Sequence, residues 1–305
     1  MSEASLQPEK QRGIAVIAVS GAPVDELAVQ RGLQVLARQG FAVHSYYRPE
    51  QKFQRFGASD AERVAQIHAA ASNPDVHVVM ALRGSYGLSR LLPQIDFDLL
   101  AASGKCFVGY SDFTPIHLGL LARGKISMAG PMLCDDFTRE NLCDYTLSQF
   151  AACLAGRQHA VEFDDGDNAD IDARGILWGG NLAMLNHLLG TPYWTGVQDG
   201  ILFLEDVGEH PYRVERMLLQ LHYAGVLSKQ KALVLGDFSA YKLAPHDNGY
   251  DFAAMLSYLR SILDIPVLTG LPFGHIRERA SLVVGSQAYL QLRDGKARLS
   301  MHYAW

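Results

Sequence analysis

The sequence predicts an α/β fold in which a doubly wound parallel sheet, flavodoxin- or Rossmann-like, is followed by an α+β domain with a mixed sheet. In the first half of the 305-residue chain, short apolar runs alternate with helical patterns. Such alternation is typical of βαβ units and a parallel sheet. An acidic, turn-rich stretch at 162–175 ends this rhythm, and strand-like runs and helices mix beyond it. A chain of this length is expected to form about two domains.

The strands of the first domain are predicted from apolar runs rich in β-branched residues. The run "GIAVIAVS" at 13–20 is continuous, as in a strand buried on both faces. Further strand-like runs lie at 41–46, 76–82 and 105–109. Helical patterns separate these runs, and the one after the second strand opens with a capping box, Ser59-Asp-Ala-Glu62.

The second half is predicted to begin after a long helical pattern at 138–156. The acidic stretch that follows has the composition of an exposed connection. We therefore place the domain boundary there, which divides the chain into 1–160 and 161–305. The strand-like runs of the second domain are 200–206, 231–238, 265–270 and three short ones from Leu282 to the C-terminus, and its helices are 211–224 and 251–263.

Composition and charge exclude several classes of function. The formal net charge of −5 provides no basic face for nucleic acid or for a membrane surface. No apolar run approaches the ~20 residues that a membrane-spanning helix needs. The N-terminal stretch 1–13 is polar and lacks an apolar signal core, so export is not expected. The four cysteines show no CxxC pair and no histidine at zinc spacing, which predicts reduced thiols in a cytoplasmic protein.

The sequence lacks three common cofactor motifs. The first strand is followed by "SGAPVDE" rather than by G-x-G-x-x-G, so a dinucleotide site has no support. A G-x-x-x-x-G-K-[ST] phosphate loop and an H-E-x-x-H zinc helix are also missing from the sequence.

Ser111 lies at the turn between the strand-like run 105–109 and the next helical pattern. As a helix cap followed by Pro115 in the first turn, it would be an ordinary helix start. As a nucleophile, its Oγ would be exposed by the tight turn. The helix-start N–H groups, with that of Asp112, would then face a developing oxyanion. The pattern G-x-S lacks the second glycine of a nucleophile elbow, so it leaves both interpretations open.

A nucleophilic serine needs a base and an acceptor that orients the base. His275 follows "IPVLTGLPFG" on a loop at a strand end, which suits a base, although a surface histidine has the same placement. An apolar run brings Glu205 and Asp206 to the end of a predicted strand, where the alternative is a pair of solvated carboxylates. Their side chains are expected on opposite faces, so only one can meet the base. Glu209, near the next helix start, is interpreted as structural.

Taken in order, these pieces closely resemble the LD-carboxypeptidases, or muramoyltetrapeptide carboxypeptidases, a family of serine peptidases with a Ser-His-Glu triad. The resemblance runs from about Gly13 to the C-terminus. The matching stretches stand in family order and are "SGAP", "ALRGSYGLSRLL", "GYSDFT", "GGNLAML", "LFLEDVGEHPYRVERML" and "GLPFGH". Each stretch is modest evidence, and their shared order makes the resemblance specific.

The resemblance implies roles for individual residues. Ser111 matches the nucleophile, Glu205 the triad acid and His275 the base, so the nucleophile and its partners belong to different domains. The turn at Ser111 is then expected to be strained so that its side chain reaches the interdomain cleft. The backbone N–H of Asp112 is expected to be one oxyanion donor.

The loop after the third strand departs from the family pattern at one position. The family has R-G-G-Y-G where this chain has "RGSYG", with Ser85 in place of a glycine. A second oxyanion donor, a backbone N–H, is expected from this loop. The side chain of Ser85 restricts its backbone conformation, so the donor can be the N–H of either Gly84 or Ser85. Arg83 is a candidate for binding a substrate carboxylate. The alternative is an arginine that holds the loop through main-chain carbonyls.

The implied reaction removes the terminal D-alanine from a muropeptide tetrapeptide during recycling of cell-wall peptides in the cytoplasm. The resemblance implies no metal and no cofactor, and it makes a homodimer the expected assembly. One alternative is the microcin self-immunity branch, which cleaves a peptidyl-nucleotide and has longer second-domain loops. A non-catalytic peptide- or sugar-binding module and a general esterase are further alternatives. The three triad residues count against the module, and the incomplete elbow counts against the esterase.

Overall fold

The computed structural model describes residues 11–166 and 168–305, which form two sheets flanked by helices. The polar N-terminal stretch on which the expectation of no export rests lies, up to residue 10, outside the described residues. Among the helices of the described ranges, none is long and apolar enough to cross a bilayer.

The first sheet has a parallel core in the flavodoxin-like order β2-β1-β3-β4-β5. Its strands are β1 (Gly13–Ile17), β2 (Ala42–Ser45), β3 (Val78–Ala81), β4 (Cys106–Gly109) and β5 (Ser127–Ala129). The first four confirm the predicted strand-like runs, and β5 is an addition. All residues of β1, β3, β4 and β5 are buried, as expected for strands covered on both faces.

Helices connect these strands and cover the sheet. They are α1 (Glu26–Arg38), α2 (Asp60–Ser72), α3 (Phe97–Ala102), α4 (Thr114–Leu121) and α5 (Asp144–Ala155). Both halves of the predicted capping box are present at the start of α2. The helix predicted from 138 begins instead at Asp144. A separate π-helical turn, Leu133–Phe137, precedes it, and the Thr138 hydroxyl closes that turn by donating to the Cys134 carbonyl at 2.6 Å.

The second sheet is mixed, with the strand order β10-β9-β8-β7-β12-β13-β6. The strands of the second half are β6 (Gln158–Asp164), β7 (Ile171–Asn181), β8 (Gly200–Val207), β9 (Gln230–Ser239), β10 (Val267–Leu268), β11 (Leu282–Val284), β12 (Gln287–Arg293) and β13 (Lys296–His302). The helices are α6 (Leu182–Leu188), α7 (Pro211–Tyr223) and α8 (Phe252–Ile262). β7 to β10 pair in parallel, whereas β12, β13 and β6 pair antiparallel.

The acidic stretch at 162–175 contains strand at both ends, which the sequence did not predict. β6 and β7 alternate between exposed polar residues and buried ones such as Val161 and Phe163. The acidic composition therefore marks the solvent face of two strands, with the connection lying between them. The boundary placed between 160 and 161 falls inside β6, which pairs along its length with β13.

β11 belongs to the first sheet although it lies near the C-terminus. It pairs antiparallel with β5, with Leu282 opposite Ala129, and its three residues are fully buried. The sequence predicted this run as part of the second domain. The two sheets are therefore linked by a shared segment of chain, and the carboxyl ends of β4 and β7 meet between them.

Candidate active site

Ser111 lies at a strained turn between β4 and α4. Its φ is +61°, a left-handed conformation that non-glycine residues adopt at a cost. Gly109 is needed for the turn, because a Cβ there would lie 2.7 Å from the ring of Phe113. Phe113 occupies the place of the second glycine of an elbow. No side-chain cap is found at either helical start around the turn, so the cap interpretation of Ser111 has no support in the structure.

The structure brings Ser111, His275 and Glu205 into one hydrogen-bonded chain. His275 Nε2 lies 3.1 Å from Ser111 Oγ, and His275 Nδ1 lies 2.7 Å from Glu205 Oε2. Glu205, at the end of β8, is fully buried, and its carboxylate can only accept, so it holds the proton on Nδ1. Nε2 is then free to accept the Ser111 hydroxyl proton. This is the arrangement of a nucleophile, a general base and an orienting acid.

The pKa of His275 is raised above its ordinary value. Burial acts to lower it, but the hydrogen bond and the charge of Glu205 outweigh burial, with a further contribution from Asp135. The charge of Arg279 acts in the opposite direction. Glu205 therefore stabilises the imidazolium more than water does, which suits a group that takes up a proton and later releases it.

A second chain of hydrogen bonds joins the turn of Ser111 to Glu205 from behind. Thr114 Oγ1 donates to the Ser111 carbonyl at 2.8 Å, and the Asn181 N–H donates to Thr114 Oγ1 at 3.0 Å. Asn181 Nδ2 donates in turn to Glu205 Oε1 at 3.2 Å. Together with the contacts of His275, these bonds form a closed ring that fixes the separation between Glu205 and Ser111.

Thr114 and Asn181 are residues of this ring that sequence reasoning missed. The signal was the glycine pair directly before Asn181, the last residue of β7, since glycine inside a strand often marks a close approach of other groups. Gly179 and Gly180 have φ of +140° and +138°, and a Cβ on Gly180 would lie 2.6 Å from Thr114 Oγ1.

Asp206 has a different environment from Glu205. Its Oδ1 accepts from Asn181 Nδ2 at 3.0 Å, and its Oδ2 accepts from the N–H of Ala183 at 2.9 Å, near the start of α6. The pKa of Asp206 is raised to about 6 by burial and by the charge of Glu205. Opposite faces were expected for the pair, with only one meeting the base. Glu205 is the one that bonds to His275, while Asn181 Nδ2 reaches both carboxylates.

The loop after β3 lies against Ser111. A Cβ on Gly84 would be 2.9 Å from Ser111 Oγ, so the main chain of this glycine lies next to that hydroxyl. Ser85 has a φ of +88°, and its hydroxyl accepts from Arg55 Nη2 at 2.8 Å. The substituted serine thus keeps a conformation for which glycine is better suited.

Asp112 connects this loop to the turn of Ser111. Its Oδ2 accepts from the Ser20 hydroxyl at 2.5 Å and from the Leu88 N–H at 2.9 Å. Its own N–H lies in the first turn after β4, where helix-start donors have no carbonyl partner within the helix. Burial raises the pKa of Asp112, although its hydrogen bonds oppose this.

Arg83 bonds to a main-chain carbonyl, as in the alternative in which it holds the loop in place. Its Nη1 donates to the Ala22 carbonyl at 2.8 Å. It also lines a cavity of about 220 Å³ together with Asp25, Cys134 and Asp135. Among the described residues, no group of three or more His, Cys, Asp or Glu side chains is placed to hold a metal ion.

Two family models match the chain. One describes the N-terminal domain of LD-carboxypeptidases and matches residues 14–130, and the other describes their C-terminal domain and matches residues 174–290. The crystal structure of muramoyltetrapeptide carboxypeptidase from Oxalobacter formigenes is 51% identical, with a TM-score of 0.93, and the match covers 96% of this chain and 100% of that one.

Two further relatives are similar in sequence over most of their length. The murein tetrapeptide carboxypeptidase of Pseudomonas aeruginosa is 27% identical, over 95% of this chain and 96% of its own length. The microcin C7 self-immunity protein MccF of Escherichia coli is 26% identical, over 90% of this chain and 88% of its own length. The sequence similarity to these proteins therefore covers both sheets of this chain.

Proposed function

The chain belongs to the LD-carboxypeptidase family, and from this premise we propose that it releases the terminal D-alanine from muropeptide tetrapeptides with Ser111 as nucleophile. The observation that carries the proposal is the hydrogen-bonded chain from Ser111 Oγ through His275 to Glu205. Its distances match the reach that proton transfer requires, ~2.6–3.2 Å.

The first half of the reaction forms a tetrahedral intermediate on Ser111. Ser111 Oγ attacks the carbonyl carbon of the bond between the L-centre of the diamino acid and D-alanine, and His275 Nε2 takes the hydroxyl proton. Glu205 stabilises the imidazolium that forms. The oxyanion is bound by the N–H of Asp112 and by one N–H of the loop at Gly84 or Ser85. Such preorganised donors contribute about 10²–10³ in rate each.

The second half returns the enzyme to its starting state. His275 gives its proton to the amine nitrogen of D-alanine, the carbon–nitrogen bond breaks, and D-alanine leaves an acyl-enzyme ester on Ser111. A water molecule then attacks the ester on Ser111, with His275 again as base, and the tripeptide is released. Each proton taken is later returned, so the triad ends unchanged.

The substrate is proposed from the names of relatives. A murein tetrapeptide carboxypeptidase and a muramoyltetrapeptide carboxypeptidase are similar over nearly the whole chain. The similarity to MccF supports a second candidate, cleavage of a peptidyl-nucleotide. A role in cell-wall recycling, a cytoplasmic location, a homodimer and substrate binding by Arg83 stay predictions.

The test is mass spectrometry of the purified protein incubated with tetrapeptide and, in parallel, with a peptidyl-nucleotide. Loss of one alanine from the tetrapeptide is expected. Ser111→Ala should abolish it, with a drop on the order of 10⁶ as for other triad serines. The variant should fold, because this hydroxyl caps no helix. Unchanged tetrapeptide, or cleavage of the nucleotide alone, would reject the proposed substrate.

A further inference from the structure

Arg279 is a buried arginine that holds the main chain on both sides of His275. Only 1% of its side chain is exposed. Its Nε donates to the Gly274 carbonyl at 2.6 Å, and its Nη2 donates to the Ile276 carbonyl at 2.9 Å. These carbonyls belong to the residues directly before and after the base, so the guanidinium sets the path of the chain that carries it.

The same guanidinium binds groups that belong to the first sheet. Its Nη1 donates to Asp136 Oδ2 at 2.5 Å, and its Nη2 donates to the Tyr110 hydroxyl at 2.9 Å. Tyr110 directly precedes Ser111, and Asp136 lies in the turn after β5. One side chain therefore joins the loop of the base to the turn of the nucleophile, across the boundary between the two sheets.

Tyr110 completes the contact with the base. Its ring packs edge-on against the imidazole of His275, with centroids 4.9 Å apart, while the Arg279 guanidinium lies 3.9 Å from the centre of the same ring. The Tyr110 hydroxyl donates to Asp135 Oδ2 at 2.8 Å. Arg279 therefore fixes the imidazole of His275 in two ways, through the main chain on both sides of it and through the Tyr110 ring that packs against it.

Only an arginine can make this set of contacts. A guanidinium has five N–H donors in a rigid plane, whereas a lysine ammonium is a single point on a flexible stem. The residue stays charged: burial acts to lower the pKa of Arg279, but Asp136, Tyr110 and Asp135 outweigh it, and the pKa is raised.

We propose that Arg279 is a positioning residue, which keeps His275 Nε2 within hydrogen-bond reach of Ser111 by clamping the loop of the base to the turn of the nucleophile. This inference rests on the triad of the proposed function. It does not depend on which peptide is the substrate.

A second effect separates this role from general support of the fold. The charged groups that act on His275 are Glu205 and Asp135, which raise its pKa, and Arg279, which lowers it. Removing the positive charge of Arg279 should therefore raise the pKa of the base. The acid limb of the pH–rate profile should move to higher pH in Arg279→Met and stay in place in Arg279→Lys.

The experiment measures two rates across pH for Arg279→Lys and Arg279→Met. One is the second-order rate of Ser111 labelling by a fluorophosphonate, in which Oγ bonds to phosphorus, fluoride leaves and His275 takes the proton. The other is turnover of tetrapeptide. Arg123→Lys is the matched control, because Arg123 also donates to a carbonyl, pairs with a carboxylate and lies over a ring, at the far end of α4.

Both Arg279 variants should lose on the order of 10²-fold in labelling rate and in kcat, the effect of a misplacement of about 1 Å, with little change in KM. The control should keep wild-type rates. Because Arg279→Met leaves Asp136 unpaired, the double variant Arg279→Met with Asp136→Asn provides a folded form if the single one fails.

Folded Arg279→Lys protein with wild-type labelling rates would overturn the inference, as would an unmoved acid limb in folded Arg279→Met protein. Wild-type protein that labels but leaves tetrapeptide intact would reject the proposed substrate, and the inference would then be judged by labelling alone. Wild-type protein that does not label would reject both.

Discussion

At the scale of single residues, the site is built from strained main chain. Ser111 and Ser85 both have positive φ, which costs roughly 1–2 kcal/mol for a residue with a side chain. Such strain persists only where the surroundings over-determine the conformation. Asp112 stabilises the strained conformation here. Its carboxylate accepts from the Ser20 hydroxyl and the Leu88 N–H and so joins the turn of Ser111 to the loop that faces it.

Replacing Glu205 by glutamine is expected to lower kcat by about 10⁴, as in triads whose acid is made neutral. The amide keeps the size but no longer stabilises the imidazolium. The pH profile should also move. The pKa of His275 is raised by Glu205, and the base works in its neutral form, so the wild-type acid limb should lie above the ordinary ~6.5. In Glu205→Gln it should shift to lower pH.

Asp206→Asn is the comparison variant for this change. The Asp206 carboxylate only accepts hydrogen bonds, from Asn181 and from the N–H groups of Ala183 and Val207. In Asp206→Asn, the new NH₂ group would face one or more of these donors and could not accept from them. We expect a loss of about 1–3 kcal/mol in unfolding free energy and a much smaller loss of kcat than in Glu205→Gln. A larger loss of kcat in folded Asp206→Asn than in Glu205→Gln would contradict the assignment of the triad acid.

At the scale of elements, the sequence predicts β1 to β4 and the capped helix α2, because their signals are local. The strands at 162–175 were missed, since alternating acidic residues on an exposed strand face have the composition of a loop. The candidate residues of the site were available from motifs. The ring through Thr114 and Asn181 was not, because those residues are 67 positions apart and meet only after both sheets form.

The glycine pair at the end of β7 makes that meeting possible. Gly180→Ala should combine backbone strain with a clash, since the new Cβ would lie 2.6 Å from Thr114 Oγ1. Loss of the bond between Asn181 and Thr114 should shift Glu205 relative to Ser111. We expect about 1–3 kcal/mol of lost stability and a fall in kcat on the order of 10²-fold.

Gly190→Ala is the matched control for Gly180→Ala. Gly190 also has a positive φ, +78°, but a Cβ there would meet no atom within 4 Å. This control should lose about 1 kcal/mol through strain alone and keep its kcat. Chemical denaturation and steady-state kinetics on both variants measure the two effects. Equal losses of kcat in the two variants would mean that the close approach of Gly180 to Thr114 has no part in catalysis.

At the scale of the whole molecule, the candidate site depends on contacts between the two sheets. The nucleophile and its loop come from the first sheet, and the acid and the base come from the second half of the chain. Two connections cross between the halves, the hydrogen bond from the Asn181 N–H to Thr114 and the bond from the Arg279 guanidinium to Tyr110. β11 crosses as well, because it supplies the antiparallel edge of the first sheet. Relative motion of the two halves is therefore restricted close to the reacting atoms.

The same topology predicts that the halves do not fold separately. A fragment of residues 1–156 ends after α5 and contains β1 to β5, but it lacks Leu282, Val283 and Val284 of β11, all fully buried. Burial of such side chains contributes ~1.5–3 kcal/mol each, and their sum is comparable with the ~5–15 kcal/mol that stabilises a whole domain. Asp136 would also lose its buried partner Arg279. We therefore expect poorly dispersed amide spectra from 1–156 and from 157–305 alone, dispersed spectra when both are refolded together, and one cooperative unfolding transition for the intact chain. A dispersed spectrum and cooperative unfolding of 1–156 by itself would mean that β11 adds little, and that the first sheet is a unit on which the second half is merely docked.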